Sequence, residues 1–234
     1  MSTILVFLLV VAVIAAWWLS RQRLMAKPWL EEGVIDDFPR GGASSLPTAK
    51  IGLGVFFAVV GSLFALLISA YFMRMDMADW QALPVPGLLW LNTGVLIASS
   101  LALQWATVAA RRGHIDDVRS GIAAGGIFAV AFLAGQLLVW RQLSADGYYL
   151  AANPANSFFY LITAIHGLHL SGGLVALGRT AAKVWHRSGL AQIRLSIELC
   201  TAYWHFLLLI WLVLFGLLTH WADDVFAICR QLFT

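Results

Sequence analysis

Phe158-Phe-Tyr-Leu-Ile-Thr-Ala-Ile-His166-Gly-Leu-His169-Leu-Ser-Gly-Gly173-Leu-Val-Ala-Leu177 decides how the chain is read. The stretch carries no Asp, Glu, Lys or Arg and is long enough to cross a ~30 Å hydrocarbon core as a helix. Two imidazoles nevertheless sit in its middle, where ionisable side chains are rare and need a reason. Similar runs occupy residues 3–19, 51–73, 88–110, 121–140 and 195–218, each of about 17 to 24 residues, with the charges gathered between them. The period-2 alternation of a transmembrane barrel is absent. The sequence therefore predicts an all-α membrane protein with six transmembrane helices, one N-terminal helix plus a five-helix bundle.

Composition agrees. Of the 234 residues, 61% are apolar and only 12% charged, and the mean hydropathy is +0.82, far from the averages of soluble domains. With the N-terminus outside, Arg21, Arg23, Lys27, Arg40, Lys50, Arg111, Arg112, Arg119, Arg179, Lys183, Arg187 and Arg194 fall on the cytoplasmic side, and Arg74, Arg141 and Arg230 outside. That asymmetry predicts both termini on the outer side; the expected location is a bacterial inner membrane, with both termini periplasmic. The net charge of +3 thus reports topology and contact with the inner leaflet. No basic patch interleaved with aromatics points to nucleic acid.

Residues 1–20 read as a retained transmembrane helix. They lack a basic stretch before the apolar run, and Trp17 and Trp18 followed by Arg21 and Arg23 resemble an interfacial anchor rather than a cleavage site. Residues 21–50 form a cytoplasmic linker with Glu31, Glu32, Asp36 and Asp37 ahead of Pro39-Arg-Gly-Gly-Ala-Ser-Ser-Leu-Pro47. Residues 51–221 form the five-helix block, whose short connections imply antiparallel neighbours. Residues 222–234 mix Asp223, Asp224 and Arg230 with Val225, Phe226 and Ile228 as a short amphipathic outer tail. Cys200 and Cys229 lie at opposite membrane faces, too far apart for a disulfide.

The polar residues of the last two spans concentrate the chemistry. By depth, His166 and His205 both fall near the midplane and can face each other. His169 stands one turn from His166, and Glu198 two turns from His205 toward the cytoplasm. One reading is a metal site or proton relay built from three imidazoles and a carboxylate. The other is an interhelical cluster in which the histidines, Tyr203 and Trp204 satisfy one another, and Glu198 meets Arg194, a lipid head or another subunit. The second is favoured. A di-iron bundle needs Glu-x-x-His pairs that this chain lacks, and a core ligating two haems and a copper needs about six histidines. Here His114, His186 and His220 fall in loops or at a helix end. Walker A, Gly-x-Gly-x-x-Gly, Gly-x-Ser-x-Gly and His-Glu-x-x-His patterns are absent. The cluster His166, His169, Glu198, Tyr203, Trp204 and His205 is therefore expected to serve structure or lipid contact, with no catalytic, cofactor or metal residue in the chain.

Leu88-Leu-Trp-Leu-Asn-Thr-Gly-Val-Leu-Ile-Ala-Ser-Ser100, Phe159 through His166-Gly-Leu-His-Leu-Ser-Gly-Gly173, and Glu198 through Tyr203-Trp-His-Phe206 resemble, in this order and spacing, subunit III of the haem-copper terminal oxidases. The resemblance covers residues 50–221. It implies a five- or seven-helix bundle, ending outside, that flanks the catalytic subunit without redox metal. It further implies a subunit of a proton-pumping oxidase that reduces oxygen with electrons from cytochrome c or quinol. Haem and copper would sit in partner subunits, and contacts would be made to subunit I, to subunit II, to small subunits and to bound phospholipid. Such a subunit supports proton uptake and protects the core from turnover inactivation.

Two positions depart from the family pattern. Gly61 or Ser62 stands where many members carry a buried Glu, and Leu208 where an Asp often follows Tyr-Trp-His, so proton roles of those carboxylates do not transfer. The N-terminal helix does not match the helix pair that closes a lipid-holding cleft in seven-helix members. The alternatives are an accessory subunit of nitric oxide reductase or of a quinol oxidase, and, in another class, a stand-alone transporter or proton channel.

Overall fold

The computed structural model describes residues 48–75, 77–81, 83–185 and 190–219. They form five helices in succession: α1 Thr48–Met75, α2 Leu88–Arg112, α3 Ile115–Ala145, α4 Pro154–Trp185 and α5 Leu190–Leu218. Each is long and apolar enough to cross a membrane. The expected N-terminal helix, the linker up to residue 47 and the outer tail lie outside the described residues. The linker's expected end at residue 50 gives way to a helix that already starts at Thr48.

The helices outrun the apolar segments that announce them. α3 takes in Asp116, Asp117 and Arg119 before its apolar run, and α4 begins at Pro154 and continues through Lys183. Acidic groups suit a helix N-terminus and cations a C-terminus, so polar residues here extend the helix into the headgroup layer instead of ending it. A 32-residue helix such as α4 spans about 48 Å by its rise.

α2, α3, α4 and α5 pack as a ring in which each helix backbone lies close to two others of the four, with Phe132 of α3 and Trp211 of α5 meeting across it. α1 stands outside, against α4 and α5 only, and just 11% of its apolar window is buried. The α2–α3 connection is the tightest. Gly113 closes α2 in the left-handed region (φ 83°), its N–H bonded to Ala109 O and Ala110 O, a conformation in which glycine meets no Cβ penalty. Along the two helices Gly121 lies against Ala106, and a Cβ there would stand 2.8 Å from the Ala106 Cβ and 3.0 Å from Ala102 O. Small residues bring the two backbones together as they do in many membrane bundles.

At the opposite end, Arg74 forks onto both carboxylate oxygens of Asp79 and folds the α1–α2 loop back. The guanidinium bonds hold the Asp79 carboxyl below the usual carboxylate range. Trp80 then packs edge-on against Tyr71 at 4.9 Å. Just before α4, Asn153 Oδ1 accepts from Ala155 N (3.1 Å) while its Nδ2 donates to Gln81 O (2.6 Å), tying the two loops together.

Candidate functional site

The polar side chains of the bundle form a seam between α2 and α5, which run antiparallel. From one membrane face to the other, Trp211 Nε1 donates to Thr93 Oγ1 (3.0 Å), Trp204 Nε1 to Ser99 Oγ (2.9 Å), and Ser100 Oγ pairs with His205 Nδ1. Next come His205 Nε2 with Gln104 Oε1 (3.1 Å), Thr107 with Thr201 (2.8 Å), and Arg111 with Glu198 (3.4 Å). From Thr93 to Arg111 this ladder runs about 27 Å along the helix axis, close to the thickness of the hydrocarbon core. Its rungs follow from sequence spacing. Thr93, Ser100 and Thr107 recur every seventh residue on α2, as do Glu198, His205 and Leu212 or Trp204 and Trp211 on α5. Every seventh residue returns to nearly the same helix face.

The six residues singled out from the sequence divide among three environments. His205 belongs to the seam. Trp204 and Tyr203 close the α4–α5 interface over Gly173, and the Tyr203 hydroxyl donates to His169 O at 2.8 Å. His169 Nδ1 turns back onto Ile165 O, one turn earlier in its own helix, at 2.8 Å. His166 is fully buried in an aromatic box, its ring centroid 6.4 Å from Phe64, 5.9 Å from Phe132 and 5.0 Å from Trp211. Neither of its ring nitrogens has a protein hydrogen-bond partner. His169 and His205 thus bond to hydroxyl, amide and backbone groups and His166 to none, where mutual satisfaction of the histidines, Tyr203 and Trp204 is the expectation from sequence.

Glu198 also differs from expectation. Its neighbours are Lys50 on α1 (3.2 Å) and Arg111 on α2 (3.4 Å), whereas Arg194 turns its Nε to Ala110 O at 3.1 Å. Ala110 O, near the end of α2, thus accepts from both the Gly113 cap N–H and Arg194, a carbonyl having two lone pairs. The carboxylate is left to the two cations arriving at its level from other helices. Lys50, Arg111, Thr107, Gln104 and Phe57 line, with α5, a cavity of about 400 Å³ between α1 and α2.

Such an arrangement bears on which groups the chain can hold. His166, His169 and His205 do not fit a haem or copper site. His169 and His205 have nitrogens engaged by Ile165 O, Ser100 and Gln104, and the aromatic walls around His166 stand where further ligands would have to enter. Among the described residues no three His, Cys, Asp or Glu converge.

The backbones of α1 and α2 stay apart, and Glu198, bonded to Lys50 on one and Arg111 on the other, bridges them. Glu198→Gln is expected to change global stability by less than about 1 kcal/mol, since the side chains of this ion pair are between 30% and 66% exposed and pairs of that kind contribute little. It should, however, broaden the distance distribution between spin labels near Lys50 and Arg112. An unchanged distribution would remove the bridging role.

Sequence comparison supplies the family. The description Cytochrome c oxidase subunit III matches over residues 50–223. A protein of Mycobacterium bovis named probable cytochrome c oxidase subunit 3 is 36% identical over 140 residues, 58% of this chain and 64% of its own length. The chain thus spans somewhat under two thirds of that relative. Cytochrome c oxidase subunit 3 of Thermostichus vulcanus is 30% identical over 179 residues, covering 72% of this chain and 85% of the relative. Subunit 3 of the cytochrome bo(3) ubiquinol oxidase of Pseudomonas aeruginosa is 26% identical over 124 residues, 53% and 59% of the two chains. With three quarters of its length matched by the family pattern and its polar signature distributed over α2, α4 and α5, the chain belongs to the cytochrome c oxidase subunit III family.

Proposed function

We propose that the chain is a non-catalytic membrane subunit of a proton-pumping haem-copper terminal oxidase that reduces oxygen to water, with cytochrome c as electron donor. It braces the catalytic subunit I, holds phospholipid beside it and supports proton uptake at the cytoplasmic face. Haem and copper reside in the partner subunits. The observation that carries this reading is the use made of the intramembrane polar groups: Ser99, Ser100, Gln104, Thr107, Tyr203, Trp204 and His205 all bond helix to helix. This is the chemistry of a rigid scaffold.

A placement in the bacterial plasma membrane with both termini outside is supported by the cations. Lys50, Arg111, Arg112, Arg119, Lys183 and Arg194 lie at the α1 start, α2 end, α3 start, α4 end and α5 start, which are one and the same end of an antiparallel bundle. Quinol as the electron donor is the second reading, favoured by the similarity to the Pseudomonas aeruginosa subunit.

The test is to purify the complex through a tag on this chain, record its optical spectrum, and assay oxygen consumption with reduced cytochrome c and with quinol. Complex stripped of the chain is expected to keep its haem bands and initial rate while losing activity faster during turnover, most visibly at higher pH where proton supply limits. Loss of the haem bands or of the initial rate on clean removal would overturn the supporting role, and an active chain without partners would make it a transporter or channel.

A further inference from the structure

We propose that the groove between α1 and α2, floored by α5, is the docking site of a transmembrane helix from a partner subunit. That helix would present a hydrogen-bond acceptor to Gln104 and a carboxylate, near its end, to Lys50 and Arg111. The proposal rests on the assembly reading above and names the surface on which assembly occurs.

Ser100 lies at the middle of α2 and His205 near the middle of α5, so their bond marks the bilayer interior. Gln104 and His205 are nevertheless exposed on the bundle surface. With the imidazole proton on Nε2, Ser100 O–H donates to Nδ1, the Nε2–H donates to Gln104 Oε1, and both imidazole nitrogens are satisfied. The Gln104 amide is left with two N–H donors that no described residue accepts. Donors facing hydrocarbon are costly, and a surface carrying them calls for an acceptor from elsewhere.

The mouth of the groove carries the second observation. Lys50 and Arg111 share the single carboxylate of Glu198, and their side chains remain 41% and 66% exposed. Among the described residues, one positive charge is unanswered there. Lys has three N–H donors and Arg five, so an incoming anion can bind without displacing Glu198. Arg111 precedes the Gln104 level by seven residues, about 10 Å of helix. The occupant must therefore answer two demands on one axis, an anion at the mouth and an acceptor about two turns deeper. A phospholipid supplies the first through its phosphate, but its ester carbonyls lie just below that phosphate, and the hydrocarbon at the depth of Gln104 has no acceptor to offer. A helix with an acidic residue near its end and a Ser, Thr or backbone acceptor further in supplies both. Space is present as well: Gly54 on the α1 wall has nothing within 4 Å of where a Cβ would stand.

The experiment uses the whole complex in its membrane, with the photoreactive residue benzoylphenylalanine at position 54 and, for comparison, at Leu168, an exposed position of α4. Illumination is expected to join position 54 to another subunit, in a band that peptide mass mapping assigns to a membrane-spanning segment. In parallel, Gln104→Leu should weaken retention of this chain in the complex by roughly 3- to 30-fold, the range for one interhelical hydrogen bond in a membrane. An intact complex in which position 54 captures only lipid or residues 1–47 of this same chain, or in which Gln104→Leu leaves retention unchanged, overturns the docking site while leaving the assembly reading in place. A chain that leaves the membrane without partner subunits overturns both.

Discussion

Gly173→Ala should unseat α4 from α5, while Gly172→Ala, one residue away, should leave the bundle as stable as before or slightly more so. The difference lies in what a new methyl meets. At Gly173 an added Cβ would stand 2.6 Å from Tyr203 Cε1 and 3.0 Å from Trp204 Cζ3, whereas at Gly172 nothing lies within 4 Å. Relief at Gly173 is blocked from both sides. Trp204 is fully buried with its indole N–H bonded to Ser99, and Tyr203 is held by its hydroxyl on His169 O. Overpacking of this kind costs about 1–3 kcal/mol, with the upper end where neighbours cannot move. At Gly172 the same change keeps its helix-propensity gain, up to about 1 kcal/mol. Thermal unfolding in mild detergent, followed by loss of the monodisperse peak, reads the contrast. Equal midpoints for the two variants would show that the α4–α5 contact has slack.

The paired glycines show how far the sequence could be read. That residues 158–177 cross a membrane follows from their length and lack of charge, and the same holds for the other four runs in the described region. Helix ends were less legible, because residues such as Asp116, Asp117 and Lys183 are polar enough to interrupt an apolar pattern yet sit comfortably at helix termini in the headgroup layer. Two adjacent glycines in His-Gly-Leu-His-Leu-Ser-Gly-Gly announce close packing but not which of them receives a neighbour. That is decided by 100° of helix rotation.

The candidate site was legible as chemistry and not as pairing. Glu198 and Arg194, four apart on one helix, looked like partners, but Lys50, 148 positions away, reaches the carboxylate instead. Tertiary approach of α1 to α5 decides this, and no local spacing records it. His166 and His205 share a depth without sharing an environment: one ring is enclosed by Phe64, Phe132 and Trp211, and the other opens onto a surface groove with Gln104. The partners missed from sequence were the small hydroxyl residues of α2. Their seven-residue recurrence at Thr93, Ser100 and Thr107 was the available signal, obscured because serine and threonine are common in membrane helices and pair with their own backbone as readily as with a neighbour.

Trp204→Ala should be among the most damaging single changes in the chain, lowering stability by about 3–5 kcal/mol, the range for removing a large buried aromatic ring. Trp204 is 0% exposed and meets three helices at once through one hydroxyl. Its Nε1 donates to Ser99 Oγ on α2, and that same Oγ donates to Gly125 O on α3 at 2.7 Å. Packing and hydrogen bonding can be separated by a second variant. Trp204→Phe keeps most of the ring in its slot but removes the N–H. Ser99 retains its bond to Gly125, so the added loss should be near the ~0.6 kcal/mol typical of one such bond between membrane helices. With Ser99→Ala in the same background, the double-mutant cycle should give a coupling of that order between Ser99 and the indole. A Trp204→Phe variant as unstable as Trp204→Ala would mean instead that the seam is held by its hydrogen bonds, with the aromatic packing secondary to them.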